Sequence, residues 1–116
     1  ALQPDWDAVA AVAESTDSMG VFAYAFSDGS EGFDLAVRAF VGNGRRFEDA
    51  ASGAANAVLA AWLDLREALP RGRAPFEVSQ GREVGYDARL TLLVDEDGEV
   101  WSGGQVQTVI AGTLDW

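Results

Sequence analysis

The chain has 116 residues, 48% of them hydrophobic, with no cysteine, no histidine and a formal net charge of -11 from 19 acidic residues against 8 basic ones, all arginine. That composition excludes disulfide and thiolate chemistry, a Ser-His-Asp triad and imidazole-ligated zinc, and its acidity opposes a phosphate backbone. With neither a membrane-length apolar run nor a basic leader, the expectation is one soluble, cytoplasmic domain over residues 1–116 that binds no nucleic acid and no membrane.

In chain order, residues 4–14 predict a helix, with Pro4 in a first turn, Asp5 and Asp7 at its positive end, and Trp6, Val9, Ala10 and Ala13 on one face. Val21-Phe22-Ala23-Tyr24-Ala25-Phe26 reads as a strand, Asp28-Gly29-Ser30-Glu31-Gly32 as a turn, and Phe33 to Val41 as an alternating second strand. Together they predict an antiparallel hairpin. Residues 42–46 form a loop leading to Glu48 and Asp49, and a helix follows from about Ser52 to Leu69, before Pro70 and Gly72. Residues 54–63 carry no charge, so this helix is expected to be enclosed by protein on every side.

Phe76-Glu77-Val78-Ser79-Gln80 predicts a short strand, with Gly81 and Gly85 marking a loop or bulge. Leu90 to Val94 and Glu99-Val100-Trp101, joined by Asp95-Glu96-Asp97-Gly98, predict a second hairpin. A last strand is expected through Val106, Thr108 and Ile110. This order of elements reads as α+β, a curved mixed or antiparallel sheet wrapped around one central buried helix.

Asp49 is the candidate for acid–base chemistry. Its alternative role is as the N-cap of the helix, which Ser52 serves equally well. Ser52, Gly53, Ala54 and Ala55 have two readings as well: small side chains baring backbone donors to an anion at a positive helix end, or small side chains allowing close packing. The glycine spacing and lysine of a phosphate-binding loop are absent. Glu48 reads as a solvated or salt-bridged neighbour, Arg45 and Arg46 as surface charge, and residues 95–98 as a hairpin turn lacking the spaced ligands of a calcium loop.

Arg38-Ala39-Phe40, Glu48-Asp49-Ala50-Ala51-Ser52-Gly53-Ala54-Ala55, Ser79-Gln80-Gly81-Arg82-Glu83-Val84-Gly85, Arg89-Leu90, Gly103-Gly104 and Gly112-Thr113-Leu114 follow one another in a known pattern. From about Val21 to Leu114 the chain resembles the C-terminal half of the phenazine-biosynthesis-like isomerases, relatives of diaminopimelate epimerase. The resemblance implies one of two similar lobes, each a curved sheet about a central helix. It implies a cofactor-independent and metal-free transfer of a proton on a small carboxylate-bearing substrate, at a cleft between the lobes. Asp49 matches the acid of the family's Glu-Asp-Pro-x-Thr-Gly-Ser-Ala motif, and Ser52, Gly53, Ala54 and Ala55 match the turn that holds the substrate carboxylate. Ala50 stands in place of proline, Ser52 of threonine, Ala54 of serine, and Tyr86 of a common arginine.

The proton-moving glutamate and histidine-containing loop of the family's N-terminal half have no counterpart in this sequence. The implied partner is therefore an N-terminal lobe, in the same longer protein or a separate chain. A non-catalytic carboxylate-binding module and a lobe that self-associates are the alternatives.

Overall fold

The computed structural model describes residues 2–115 and is α+β: two helices and an open, six-stranded mixed sheet. Helix α1 spans Trp6–Ser15, capped by Asp5, whose Oδ1 accepts the N–H groups of Asp7 and Ala8 at 3.1 Å each. Strands β1 (Gly20–Phe26) and β2 (Leu35–Val41) form the expected antiparallel hairpin, in a register that pairs Phe22 with Ala39 and Tyr24 with Val37. Alternation then puts Phe22, Tyr24, Leu35, Val37 and Ala39 on one face of the sheet. Phe40 points to the other, where it meets Trp6 of α1 edge-to-face at 6.0 Å.

The far edge of β2 is shared by two strands. Its first residues pair in parallel with β5 (Phe76–Gln80), and its last pair antiparallel with β3 (Phe47–Asp49). Between β3 and β5 the chain runs through helix α2 (Gly53–Leu65) and a short strand, β4 (Pro70–Arg73), that is not one of the six in the sheet. β5 continues the sheet to β6 (Ala88–Val94) and β7 (Val100–Gly104), the second expected hairpin, giving the order β1-β2-β5-β6-β7. A turn of 3-10 helix, Arg82–Val84, sits between β5 and β6 with left-handed Gly81 and Gly85 at its two ends.

The core is one layer of side chains between this sheet and one side of α2. Leu59, Ala60 and Leu63 pack on Leu35, Val37, Phe76, Val78, Leu92 and Val94.

Three expectations are corrected. The helix stops at Leu65 rather than Leu69, where the N–H groups of Arg66 and Ala68 turn back to the Leu63 carbonyl. The helix is not enclosed: Asn56, Leu59, Ala60 and Leu63 are buried, whereas Val58 and Leu65 on the outer side are 70% and 84% exposed. Uniform apolarity had implied cover all round, but the sheet does not close, and it covers one side only. Finally, residues 105–115 form no strand and are exposed throughout. Among the described residues no helix is long and apolar enough to cross a membrane.

Candidate functional site

The two acids of the Glu48-Asp49 pair sit on β3, and the register of that strand separates them. Glu48 pairs with Phe40 and Asp49 with Ala39, so the carboxylates emerge on opposite faces of the sheet. On the α1 face, Glu48 accepts two hydrogen bonds from Arg38, Nε to Oε1 at 2.9 Å and Nη2 to Oε2 at 2.6 Å. Arg38 also donates to the Leu2 carbonyl and lies over the Phe40 ring. The bond to Glu48 raises the already high pKa of the guanidinium, so this is a fixed structural ion pair. A pair of carboxylates sharing a proton is excluded by this geometry. Asp49 is left alone on the α2 face.

The N-cap of α2 is Ser52, whose Oγ accepts the N–H of Ala55 at 3.2 Å. Asp49 is thereby released from capping: Oδ1 accepts only the Ala51 N–H at 3.2 Å, and among the described residues nothing pairs with Oδ2. The Ser52 N–H is taken by Gln80 Oε1 at 3.2 Å, and the Asn56 N–H by the Ser52 carbonyl at 3.1 Å. Of the amides from Ala51 to Asn56, those of Gly53 and Ala54 alone meet no acceptor among the described residues. Both residues are exposed, and both lie at the positive end of the helix dipole.

Gln80 and Gly81 hold this turn in place. Gln80 is fully buried, donating from Nε2 to the Asp49 carbonyl at 2.7 Å and accepting at Oε1 from both Ser52 N and Asn56 Nδ2, the latter at 2.8 Å. One side chain at the end of β5 thus ties β3, the turn and α2 together. Gly81 follows at φ +87°, with the Ala50 carbonyl so close that a Cβ would lie 2.4 Å from its oxygen. No other residue type fits there.

Asp49, Ser52, Ala54 and Ala55 line one groove of about 780 Å³ between β1, the β2–β3 edge and the open side of α2. Gly53 is not part of that lining; a Cβ placed on it would lie 3.6 Å from Ser102 Oγ of β7. Phe22, Phe47 and Val58 make most of the remaining wall apolar, and the Tyr24 and Trp62 rings meet across it at 5.8 Å. Asp49 is the sole carboxylate in that lining. The groove therefore joins the Asp49 carboxylate, the open amide of Ala54 and the Ser52 hydroxyl at the end of an apolar trough of ordinary small-molecule size, with the Gly53 amide one residue before Ala54.

The sequence pattern of the phenazine biosynthesis-like protein family, PhzC-PhzF, matches residues 1–113. The chain belongs to this family. The match takes in α1, ahead of the first motif that carries the resemblance, so the whole sheet and both helices of this PhzF-like chain fall within it. No curated protein sequence matches the chain.

In this PhzF-like chain the five residues singled out in the sequence, Asp49 and Ser52 to Ala55, come together at one helix end. Arg45 and Arg46 do not join them; Arg46 pairs with exposed Asp7 at 2.8 Å, as surface charge. Among the described residues no cluster of three or more metal-ligating side chains exists, and Asp95 uses its oxygens on its own hairpin, accepting from Asp97 N, Glu99 N and Trp101 Nε1. Sequence reading missed the side-chain role of Gln80, placing it only at the end of a short strand and within the family pattern. The signal was there: Phe76, Val78 and Gln80 alternate onto the core face, so an amide lands where an apolar residue is expected.

Proposed function

We propose that this chain is the C-terminal lobe of a cofactor-independent, phenazine-biosynthesis-like isomerase, working at a cleft completed by an N-terminal lobe. The substrate carboxylate binds the free amides of Gly53 and Ala54 and the Ser52 hydroxyl, and Asp49 carries or steers the proton on the neighbouring carbon. The observation that carries this reading is the pairing, in one groove wall, of a carboxylate freed from capping with the unclaimed helix amide of Ala54, next in sequence to that of Gly53. Proton transfer between carbons needs an acid–base group within reach of each of them, and beyond Asp49 the groove lining contains only Tyr24 as a titratable side chain. A complementary lobe meets that need, and the chain alone is not expected to turn over.

The test is a mixture of this chain with a candidate N-terminal lobe in deuterated buffer, following loss of the substrate's carbon-bound proton by NMR. Exchange is expected only in the mixture, and Asp49→Asn is expected to slow it by roughly 10²–10⁴-fold. An unchanged rate in Asp49→Asn refutes the role given to that acid. Carboxylate binding with no exchange in any mixture replaces the isomerase reading with a non-catalytic binding module.

A further inference from the structure

The face of the sheet turned away from α2 carries another cavity, of about 200 Å³. Register puts Ala23 and Ala25 of β1 beside Arg38 and Ala36 of β2, and Ala36 beside Ser79 of β5, so these five side chains share that face. Three alanines on adjacent strands lack the bulk that would fill the space. Left-handed Gly81 then turns the chain out of β5 into the 3-10 turn, which brings Arg82 and Glu83 to the cavity wall. The volume is several times the roughly 30 Å³ share of one water and falls short of the roughly 300–1,000 Å³ of drug-sized sites. A guest of a few heavy atoms fits.

The polar side chains of the lining differ in what they already hold. Arg38 gives two hydrogen bonds to Glu48 and one to the Leu2 carbonyl, and Arg82 pairs with Glu31 at 3.2 Å while lying over the Phe33 ring. Ser79 and Glu83 hold nothing comparable. Ser79 is 2% exposed and its hydroxyl has no hydrogen-bond partner among the described residues. The Glu83 carboxylate accepts no hydrogen bond among the described residues, and its ion pair with Arg38 is a loose one, Nε to Oε2 at 3.9 Å. With Glu48 and Glu31 balancing the two arginines, Glu83 leaves the site one negative charge in excess. We propose that this cavity binds a small primary ammonium ion on a short aliphatic stem. The –NH₃⁺ group, with three donors and no acceptor, serves the Glu83 carboxylate and the Ser79 hydroxyl and cancels the excess charge, and the stem lies on Ala23, Ala25 and Ala36. A carboxylate guest would instead enter a site already in negative excess. The cavity and Asp49 lie on opposite faces of the sheet, and this inference does not rest on the isomerase reading.

The test is an NMR titration of the full chain with propylamine, set against 1-propanol and propionate, which offer a similar stem with a neutral and an anionic head. Propylamine is expected to shift the Ser79, Gly81 and Glu83 amide resonances saturably, with roughly millimolar affinity for so few atoms. The alcohol is expected to bind on the order of tenfold more weakly, and propionate not at all. Glu83→Gln keeps the shape and removes the charge, weakening propylamine on the order of tenfold; Glu83 is 37% exposed, so circular dichroism stays that of the wild type. Ser79→Ala is expected to weaken it about fivefold without lowering the melting temperature, since the hydroxyl it removes bonds to nothing among the described residues. Ala36→Leu, at a half-buried position, fills the space and abolishes binding with both oxygens still in place. Absence of a saturable shift with propylamine means that the cavity holds solvent alone and overturns the proposal. So does propionate or propanol binding as tightly as the amine, or Glu83→Gln binding as the wild type does.

Discussion

Replacing Gln80 by leucine keeps the side-chain volume nearly constant while deleting three hydrogen bonds that join β5 to the turn before α2. The Asp49 carbonyl and the Ser52 N–H lose their partners outright. Asn56 Nδ2 keeps its bond to the Ser52 carbonyl at 2.8 Å but loses its second acceptor. A polar group stranded in the interior costs about 1–3 kcal/mol. Asp49 and Ser52 are only half-buried, so the low end applies to each, and the buried Asn56 donor that loses its acceptor adds about 1 kcal/mol more, for a total of about 3 kcal/mol. Burying leucine in place of an amide returns roughly 1 kcal/mol. The expected net loss is therefore about 2 kcal/mol, a large part of the 5–15 kcal/mol typical of a domain.

Urea unfolding followed by circular dichroism reads this loss as a midpoint lowered by roughly 1 M, at an m-value near 2 kcal/mol/M. Gln80→Glu separates the hydrogen bonds from the packing. It keeps an acceptor for Ser52 and Asn56 but aims a buried carboxylate at the Asp49 carbonyl, which raises its pKa above the unfolded value. A carboxyl group raised in this way destabilises the fold at neutral pH and ceases to do so as pH falls below its unfolded value. Gln80→Glu should thus gain on the wild type in mild acid, and Gln80→Leu should not. A loss under about 0.5 kcal/mol for Gln80→Leu refutes the view that this amide holds the site together.

Gly81→Ala is expected to cost at least about 2 kcal/mol in thermal unfolding, since the new Cβ meets the Ala50 carbonyl in a left-handed conformation; a wild-type melting temperature would contradict the close approach. Arg38→Met leaves the Glu48 carboxylate, 5% exposed, without its cation and is expected to cost about 3 kcal/mol, much of it regained in the double variant with Glu48→Gln. Failure of the second change to restore stability would refute the buried-charge explanation. The Trp101 indole N–H, with help from the Glu99 amide, holds the Asp95 carboxyl below its ordinary value. Its stabilising contribution is complete above the unfolded carboxylate pKa and disappears as pH falls through the lowered one. Trp101→Phe should raise the Asp95 titration midpoint seen by carboxyl NMR, and an unmoved midpoint refutes that bond.

Both hairpins were legible because their strands alternate and their turns are built from Asp, Ser and Gly, local signals that tertiary structure had no reason to override. The candidate site was legible for a similar reason, as an acid, a capping hydroxyl and small residues lie within seven consecutive positions. The separation of Glu48 from Asp49 was not. It depends on β3, three residues long, docking on β2 in one register, and no three-residue segment advertises its partner. The exposure of α2 was misread because composition reports what a helix would bury, whereas burial depends on how many strands reach it. The final expected strand failed for the same reason: the alternation of residues 106–110 is present, but no strand edge among the described residues receives it.

The pattern of satisfied donors at the start of α2 is itself informative. Asp49 takes the Ala51 amide, Gln80 the Ser52 amide, Ser52 Oγ the Ala55 amide and the Ser52 carbonyl the Asn56 amide. A strand acid, a buried strand amide and a cap divide the turn's donors among them and skip Gly53 and Ala54. Small side chains at those two positions leave the approach to the amides open, and Asp49 is held by its backbone, through Gln80, on the same groove wall. Packing alone would account for small residues, but it gives no reason for a buried glutamine to fix the backbone of the neighbouring acid. Fixing an acid relative to unclaimed amides is what binding a carboxylate next to a labile proton requires, because proton transfer tolerates little error in position. Gln80→Leu and Asp49→Asn thus probe one device from two sides: in a complex with the complementary lobe, the first should weaken carboxylate binding and exchange together, and the second should spare binding while exchange is lost.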